Sequence, residues 1–199
     1  MNLEEYRVLF LVVTLVLALI VASPVVSMIV PQGSSERFSE FWLLGPDHLA
    51  EGYPLNVAVG EMYSVFVGVD NHMGCSECYL VKVKFRNITQ PLPDISGSIP
   101  SSLPTLSENM FFISDRNVWE SPVIFGFQDV SVEDDVLFVG DIIVDGIAFP
   151  VNTSARWASE DNGFYFELFF ELWRCNVDLK TFSFANQYVG ILLNITSSQ

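Results

Sequence analysis

Residues 8–30, VLFLVVTLVLALIVASPVVSMIV, contain no charged side chain. Their only polar or helix-breaking members are Thr14, Ser23, Pro24 and Ser27. A helix of this length covers roughly 35 Å, enough to cross the hydrocarbon core of a bilayer. The sequence therefore predicts a transmembrane helix over 8–30, a short cytoplasmic tail over 1–7 and a juxtamembrane linker over 31–37. One extracytoplasmic domain follows over 38–199. Val21-Ala22-Ser23 resembles a signal-cleavage site, but Pro24 follows it and the apolar run continues to Val30. That pattern predicts a retained signal anchor rather than a removed leader.

Arg7 precedes the segment and Arg37 follows it, so basic residues alone orient it weakly. Three sequons speak more directly. Asn87-Ile-Thr89, Asn152-Thr-Ser154 and Asn194-Ile-Thr196 all read N-x-S/T with no central proline. N-linked glycans attach only outside the cytoplasm. The sequons predict an N-terminus in the cytoplasm, a C-terminal domain outside it, and glycosylation at Asn87, Asn152 and Asn194.

The net charge is −15 over 199 residues. A surface this acidic repels nucleic-acid phosphate and offers no polybasic face to anionic lipid. The expected partners are the membrane and a protein, or further copies of the chain.

Beyond Pro31 the hydrophobic pattern has period two. Tyr63, Val65, Val67 and Val69 alternate with Met62, Ser64, Phe66 and Gly68. Tyr79, Val81, Val83 and Phe85 alternate with Lys82, Lys84 and Arg86, which reads as a half-buried strand with a solvated basic stripe. Further strands are expected over 136–144, 146–151, 164–173 and 189–195. In the third of these both alternating sets are apolar except Glu167 and Glu171, so that strand should be central. Gly60-Glu61, Asn71–Gly74, Asp145-Gly146 and Asp161–Gly163 supply turn residues. Many short strands and no long amphipathic helix after the membrane segment predict an all-β protein, an antiparallel sandwich. Residues 90–107 contain Pro91, Pro93, Pro100 and Pro104 and should form an exposed loop.

Several motifs within this domain resemble the ectodomain of an archaeal family known as domain of unknown function 1616. Glu40-Phe41-Trp42-Leu43-Leu44-Gly45-Pro46 matches its Glu-Phe-aromatic-x-Leu-Gly-Pro start. Ala50-Glu51-Gly52-Tyr53-Pro54, Val59-Gly60-Glu61 and Val67-Gly68-Val69-Asp70-Asn71-His72 match the motifs that follow. Leu192-Leu193-Asn194-Ile195-Thr196 is similar to the family's last strand. Residues 88–160 match less well. The resemblance implies a membrane-anchored, extracytoplasmic, Ig-like β-sandwich and supplies no activity.

Few residues suggest chemistry. His72-x-x-Cys75-x-x-Cys78, with Cys175 downstream, has ligand types suited to zinc or copper. In an exterior domain three cysteines more simply give one disulfide and one thiol. Cys78 begins a strand and Cys175 ends one, so a cross-strand bridge and a Cys75–Cys78 bridge both stand open. His72 also belongs to the Asn-His turn, where a structural hydrogen bond is the plainer role. Glu133-Asp134-Asp135, with Asp141 and Asp145, lacks the spacing of a calcium loop and reads as solvated turns. The histidines are His48 and His72, and no G-x-S-x-G or H-E-x-x-H motif accompanies them. No Gly-rich phosphate loop precedes a helix, and no cofactor is expected.

These features predict a non-catalytic, membrane-anchored surface glycoprotein. It would be a structural or protein-binding component of an envelope, or an accessory subunit of a membrane complex. Two other readings remain. If residues 1–23 were removed, Pro24–Val30 would become an apolar tail for a fibre subunit assembling by strand addition. The His72, Cys75, Cys78 and Cys175 set would instead define a metal-binding module.

Overall fold

The computed structural model describes residues 6–7, 10–20, 37–160, 162–176 and 180–196. The chain divides into two units, Met1–Arg37 and Phe38–Gln199. In the first, residues 10–20 are helical and exposed, and Thr14 Oγ1 donates to Phe10 O at 2.7 Å. Among the described residues no helix is long and apolar enough to cross a membrane. Of the predicted span, residues 8–9 and 21–30 lie outside the described residues, as do 1–5 of the tail and 31–36 of the linker.

The second unit is all-β, with ten strands in two five-stranded sheets. The first sheet contains β1 (Phe38–Leu44), β3 (Met62–His72), β6 (Asn117–Glu133), β7 (Val136–Val144) and β8 (Ile147–Arg156), in the order β1-β3-β6-β7-β8. The second contains β2 (Asn56–Ala58), β4 (Glu77–Asn87), β5 (Ser107–Ile113), β9 (Tyr165–Asn176) and β10 (Thr181–Thr196), in the order β2-β10-β9-β4-β5. The expected antiparallel arrangement holds for every pair except β2 and β10, which run parallel.

Period-two alternation places one set of each strand inward. Val65, Val67 and Val69 of β3 join Phe125 and Phe127 of β6 and Leu137 and Ile142 of β7. Facing them are Tyr79, Val81, Val83 and Phe85 of β4, Phe166, Leu168, Phe170 and Leu172 of β9, and Leu193 and Ile195 of β10. Phe85 meets Phe127 at 5.4 Å between ring centroids, and Phe111 of β5 stacks on Trp119 of β6 at 3.6 Å. Aromatic contacts of this kind join the two sheets beyond their buried area.

β9 is central, third in its sheet, as its doubly apolar pattern requires. The seventeen-residue β6 carried no clear sequence signal. Its Pro122 sits where β6 pairs with β3 alone, since pairing with β7 begins at Phe125. A proline lacking an N–H is tolerated at such a locally free edge.

Candidate functional site

Two polar clusters are built into the outer parts of this fold. One lies on the outward face of β4 and β9. The outward residues of β4 are not the solvated stripe their alternation predicts: Lys84 is 3% exposed and Arg86 is also buried. The reason is register. β9 places Glu171 opposite Lys82 and Glu167 opposite Arg86, and the proline-rich connection folds over them. Lys84 Nζ lies 3.1 Å from Glu171 Oε2 and donates to Ser101 O at 2.5 Å. Glu171, fully buried, also accepts from Ser101 N at 2.7 Å and from Trp173 Nε1 at 3.1 Å. Arg86 pairs with Glu167 at 2.5 Å and donates to the carbonyls of Ile88 and Gln90.

The segment 90–107 is thus not simply an exposed loop. Its tip, residues 94–99, is exposed, but Pro93, Ser101 and Leu106 are buried. It joins two neighbouring strands of one sheet, β4 and β5, and its backbone completes the charge cluster. Each charge has fixed partners, which is the condition for burying ions at tolerable cost.

The second cluster surrounds Asn71, buried at the end of β3. Its Nδ2 donates to Cys75 O at 2.8 Å and to Ile113 O at 2.9 Å. Its Oδ1 accepts from Met73 N at 3.0 Å and from Tyr79 Oη at 3.1 Å. Tyr79 Oη in turn lies 2.6 Å from Ser39 Oγ. One amide therefore ties β1, β4, the end of β5 and the β3–β4 turn together. Burial is the chief cause that raises the Tyr79 phenol above its ordinary value, and the Ser39 hydrogen bond partly opposes it. A raised folded-state value leaves stability whole below the unfolded pKa of about 10. Stability then falls as pH climbs from there through the folded value, because the unfolded chain releases its proton first. Thermal melts between about pH 9 and 11 should show a downward slope that is shallower in Tyr79→Phe. Equal slopes would remove this account.

The motifs singled out in the sequence resolve into structural parts. Trp42 lies over Gly68, where any Cβ would overlap its indole ring. Gly45 faces the Glu51 carbonyl just as closely, and Tyr53 Oη donates to Leu43 O at 2.7 Å. Gly60 turns with φ +86 and donates to Phe127 O. His72 Nε2 lies 2.9 Å from Asp70 Oδ2 and its ring stacks on Phe38. His48, exposed, contacts Glu120 at 2.5 Å and Phe66 at 3.8 Å.

The remaining candidates separate. Among the described residues no group of three or more His, Cys, Asp or Glu side chains could hold a metal, so His72, Cys75, Cys78 and Cys175 do not converge as ligands. Cys78 and Cys175 do come together on adjacent strands, whereas Cys75 sits in the exposed turn with its Sγ 3.4 Å from Glu77 Oε1. Asp134 and Asp135 turn between β6 and β7, and Asp145 caps the other end of β7, accepting from Ile124 N at 2.9 Å. Of the sequon residues, Asn152 is exposed. Asn87 Nδ2 is held by Ser154 O at 2.9 Å, and Asn194 bridges Asn56 and Phe164 N at 3.0 Å each.

The described clusters define a class: an all-β domain of two packed sheets whose buried polar residues act as internal braces. The chain belongs to the family described as domain of unknown function (DUF1616), whose model matches residues 31–129. The match ends within β6, so the proline-rich connection lies inside it and Leu192–Thr196 beyond it. No curated protein matches the chain. Among solved structures it is similar to β-glucosidase from Listeria innocua in complex with gluconolactone, at 9% identity over 79% of this chain and 16% of that one, with a TM-score of 0.35. The structure of β-glucosidase from Listeria innocua with isofagomine gives 10% identity, 81% and 16% coverage and a TM-score of 0.38. The chain spans about a sixth of the length of these structures, and likenesses at these scores carry no argument about fold or activity.

Proposed function

We propose that this chain is a membrane-anchored, extracytoplasmic surface domain of Ig-like sandwich class that acts by binding a protein partner. The connectivity supports the class. β1-β3-β6 opposed to β10-β9-β4-β5 follows the A-B-E and G-F-C arrangement of Ig-like sandwiches, with β7 and β8 extending the first sheet. The anchoring rests on the sequence of residues 8–30, which is uncharged and predominantly apolar.

The observation that carries partner binding is β5. It ends its sheet and pairs, among the described strands, with β4 alone. Its outward face exposes Phe112 at 76% and Met110 at 58%. Apolar residues on a terminal strand invite an added strand from another chain. The polar clusters, by contrast, are consumed by the fold. The partner is a protein that covers Phe112 and Met110 along the β5 edge. Asn152 carries the glycan, because the amides of Asn87 and Asn194 are already engaged.

Purification of the intact chain from native membranes tests this reading. The expected result is a stoichiometric protein partner, lost in Phe112→Asp while the melting temperature holds, and a glycan on Asn152 only. Recovery as a lone monomer, unmodified at all three sequons, overturns it. A mature N-terminus near residue 24 would instead favour the fibre subunit, with Pro24–Val30 as the added strand.

A further inference from the structure

We propose that Cys78 and Cys175 form a cross-strand disulfide that locks β4 to β9, with Cys75 left outside it. The pairing follows from register. β4 and β9 are antiparallel with Tyr79 opposite Arg174, so the next position sets Cys78 opposite Cys175. Cys175 is among the groups that act directly on the Cys78 thiol. Opposed residues in antiparallel strands stand with Cα atoms about 4.5–5.5 Å apart, within the span a disulfide bridges.

The neighbours place the pair on the outer face. Register sets Phe112 of β5 opposite Cys78 and Phe182 of β10 opposite Cys175. Cys78 is buried and Cys175 half-buried. Cys75 belongs to the turn whose carbonyl is held by Asn71, and its own sulfur points to Glu77. The Cys75-x-x-Cys78 spacing therefore does not decide the partner. A sulfur across the sheet does.

The chemistry needs only a low-molecular-weight disulfide as oxidant, such as glutathione disulfide. The half-exposed Cys175 sulfur attacks one sulfur of that disulfide and expels the other as a thiol. Cys78 then displaces the second, so two protein thiols become one S–S bond and two glutathione thiols are released. Burial foremost, and next the adjacent Cys175, raise the Cys78 thiol above its ordinary value. Cys175, the more accessible of the two, therefore makes the first attack, and the bond that results ties β4 to β9.

The inference does not rest on the anchoring or the partner, because it is tested on the purified full chain. The protein is equilibrated with glutathione disulfide, the remaining thiols are alkylated, and peptides are mapped without reduction. The expected result is uptake of one alkyl group, at Cys75, and a linked Cys78–Cys175 peptide. The oxidised chain should melt on the order of 10 °C above the reduced one, since closing a loop of about a hundred residues constrains the unfolded state strongly. Cys75→Ser should bridge as the parent does, and Cys175→Ser should not gain stability on oxidation. Alkylation of all three cysteines, or a linked peptide containing Cys75, overturns the proposal.

Discussion

Replacing Lys84 with methionine should cost the domain about 3–5 kcal/mol. The side chain is almost wholly buried and its ammonium pairs with Glu171, which is fully buried. Methionine fills the space of the aliphatic stem but strands a carboxylate beneath the proline-rich connection. Ser101 N and Trp173 Nε1 still donate to it, so the carboxylate keeps hydrogen bonds but loses its counter-charge. The midpoint of urea unfolding should fall with the slope unchanged, and the melting temperature by roughly 6–20 °C. The double variant Lys84→Met with Glu171→Gln should recover most of the loss. It removes the stranded charge and keeps an acceptor for Ser101 N. A single variant as stable as the parent would show that the ion pair is not what braces this face. Sensitivity to protease within 90–107 should rise in parallel, because Ser101 O loses its donor as well.

The Asn71→Leu variant should lose about 3–5 kcal/mol. Leucine keeps the branching and heavy-atom count of asparagine but is bulkier, so the loss combines the missing hydrogen bonds with some overpacking. Two of the four lost bonds, to Ile113 O and Tyr79 Oη, are fully buried, and each stranded group costs about 1–3 kcal/mol. The bonds to Cys75 O and Met73 N are partly open to water and count for less. Tyr79→Phe should cost only about 1–2 kcal/mol. The two losses should not add in the double variant, because the residues share a bond. Chemical denaturation reads the totals, and hydrogen exchange at residues 73–77 and 114–116 reads where the frame opens. Additive losses would mean that Asn71 and Tyr79 act independently.

Both predictions concern residues whose roles were only half legible in the sequence. The alternation of Lys82, Lys84 and Arg86 against Tyr79, Val81, Val83 and Phe85 was read correctly as a strand, since alternation is a local property of the pleat. That Lys84 and Arg86 are buried was not legible. It depends on Glu171 and Glu167, some eighty residues away, and on a proline-rich segment that reads as exposed. Asn71 stood out only as a turn residue and through the resemblance to a known family. Its neighbour His72 looked like the chemical residue of the pair, yet Asn71 holds the frame. No strand was expected over 117–133, and Pro122 is a residue that a paired strand disfavours. The stagger of β6 between two neighbours makes that proline acceptable.

The sequence by itself determined the all-β character of residues 38–199, most of the strand positions, the central place of β9 and the family. These follow from periodicity, turn residues and short motifs, all written in neighbouring positions. Only the tertiary structure decided which charges are buried, which sequon amide is exposed and which cysteine faces which. Those properties are set by register between strands far apart in the chain, and a shift of one residue would turn every one of those side chains to the opposite face.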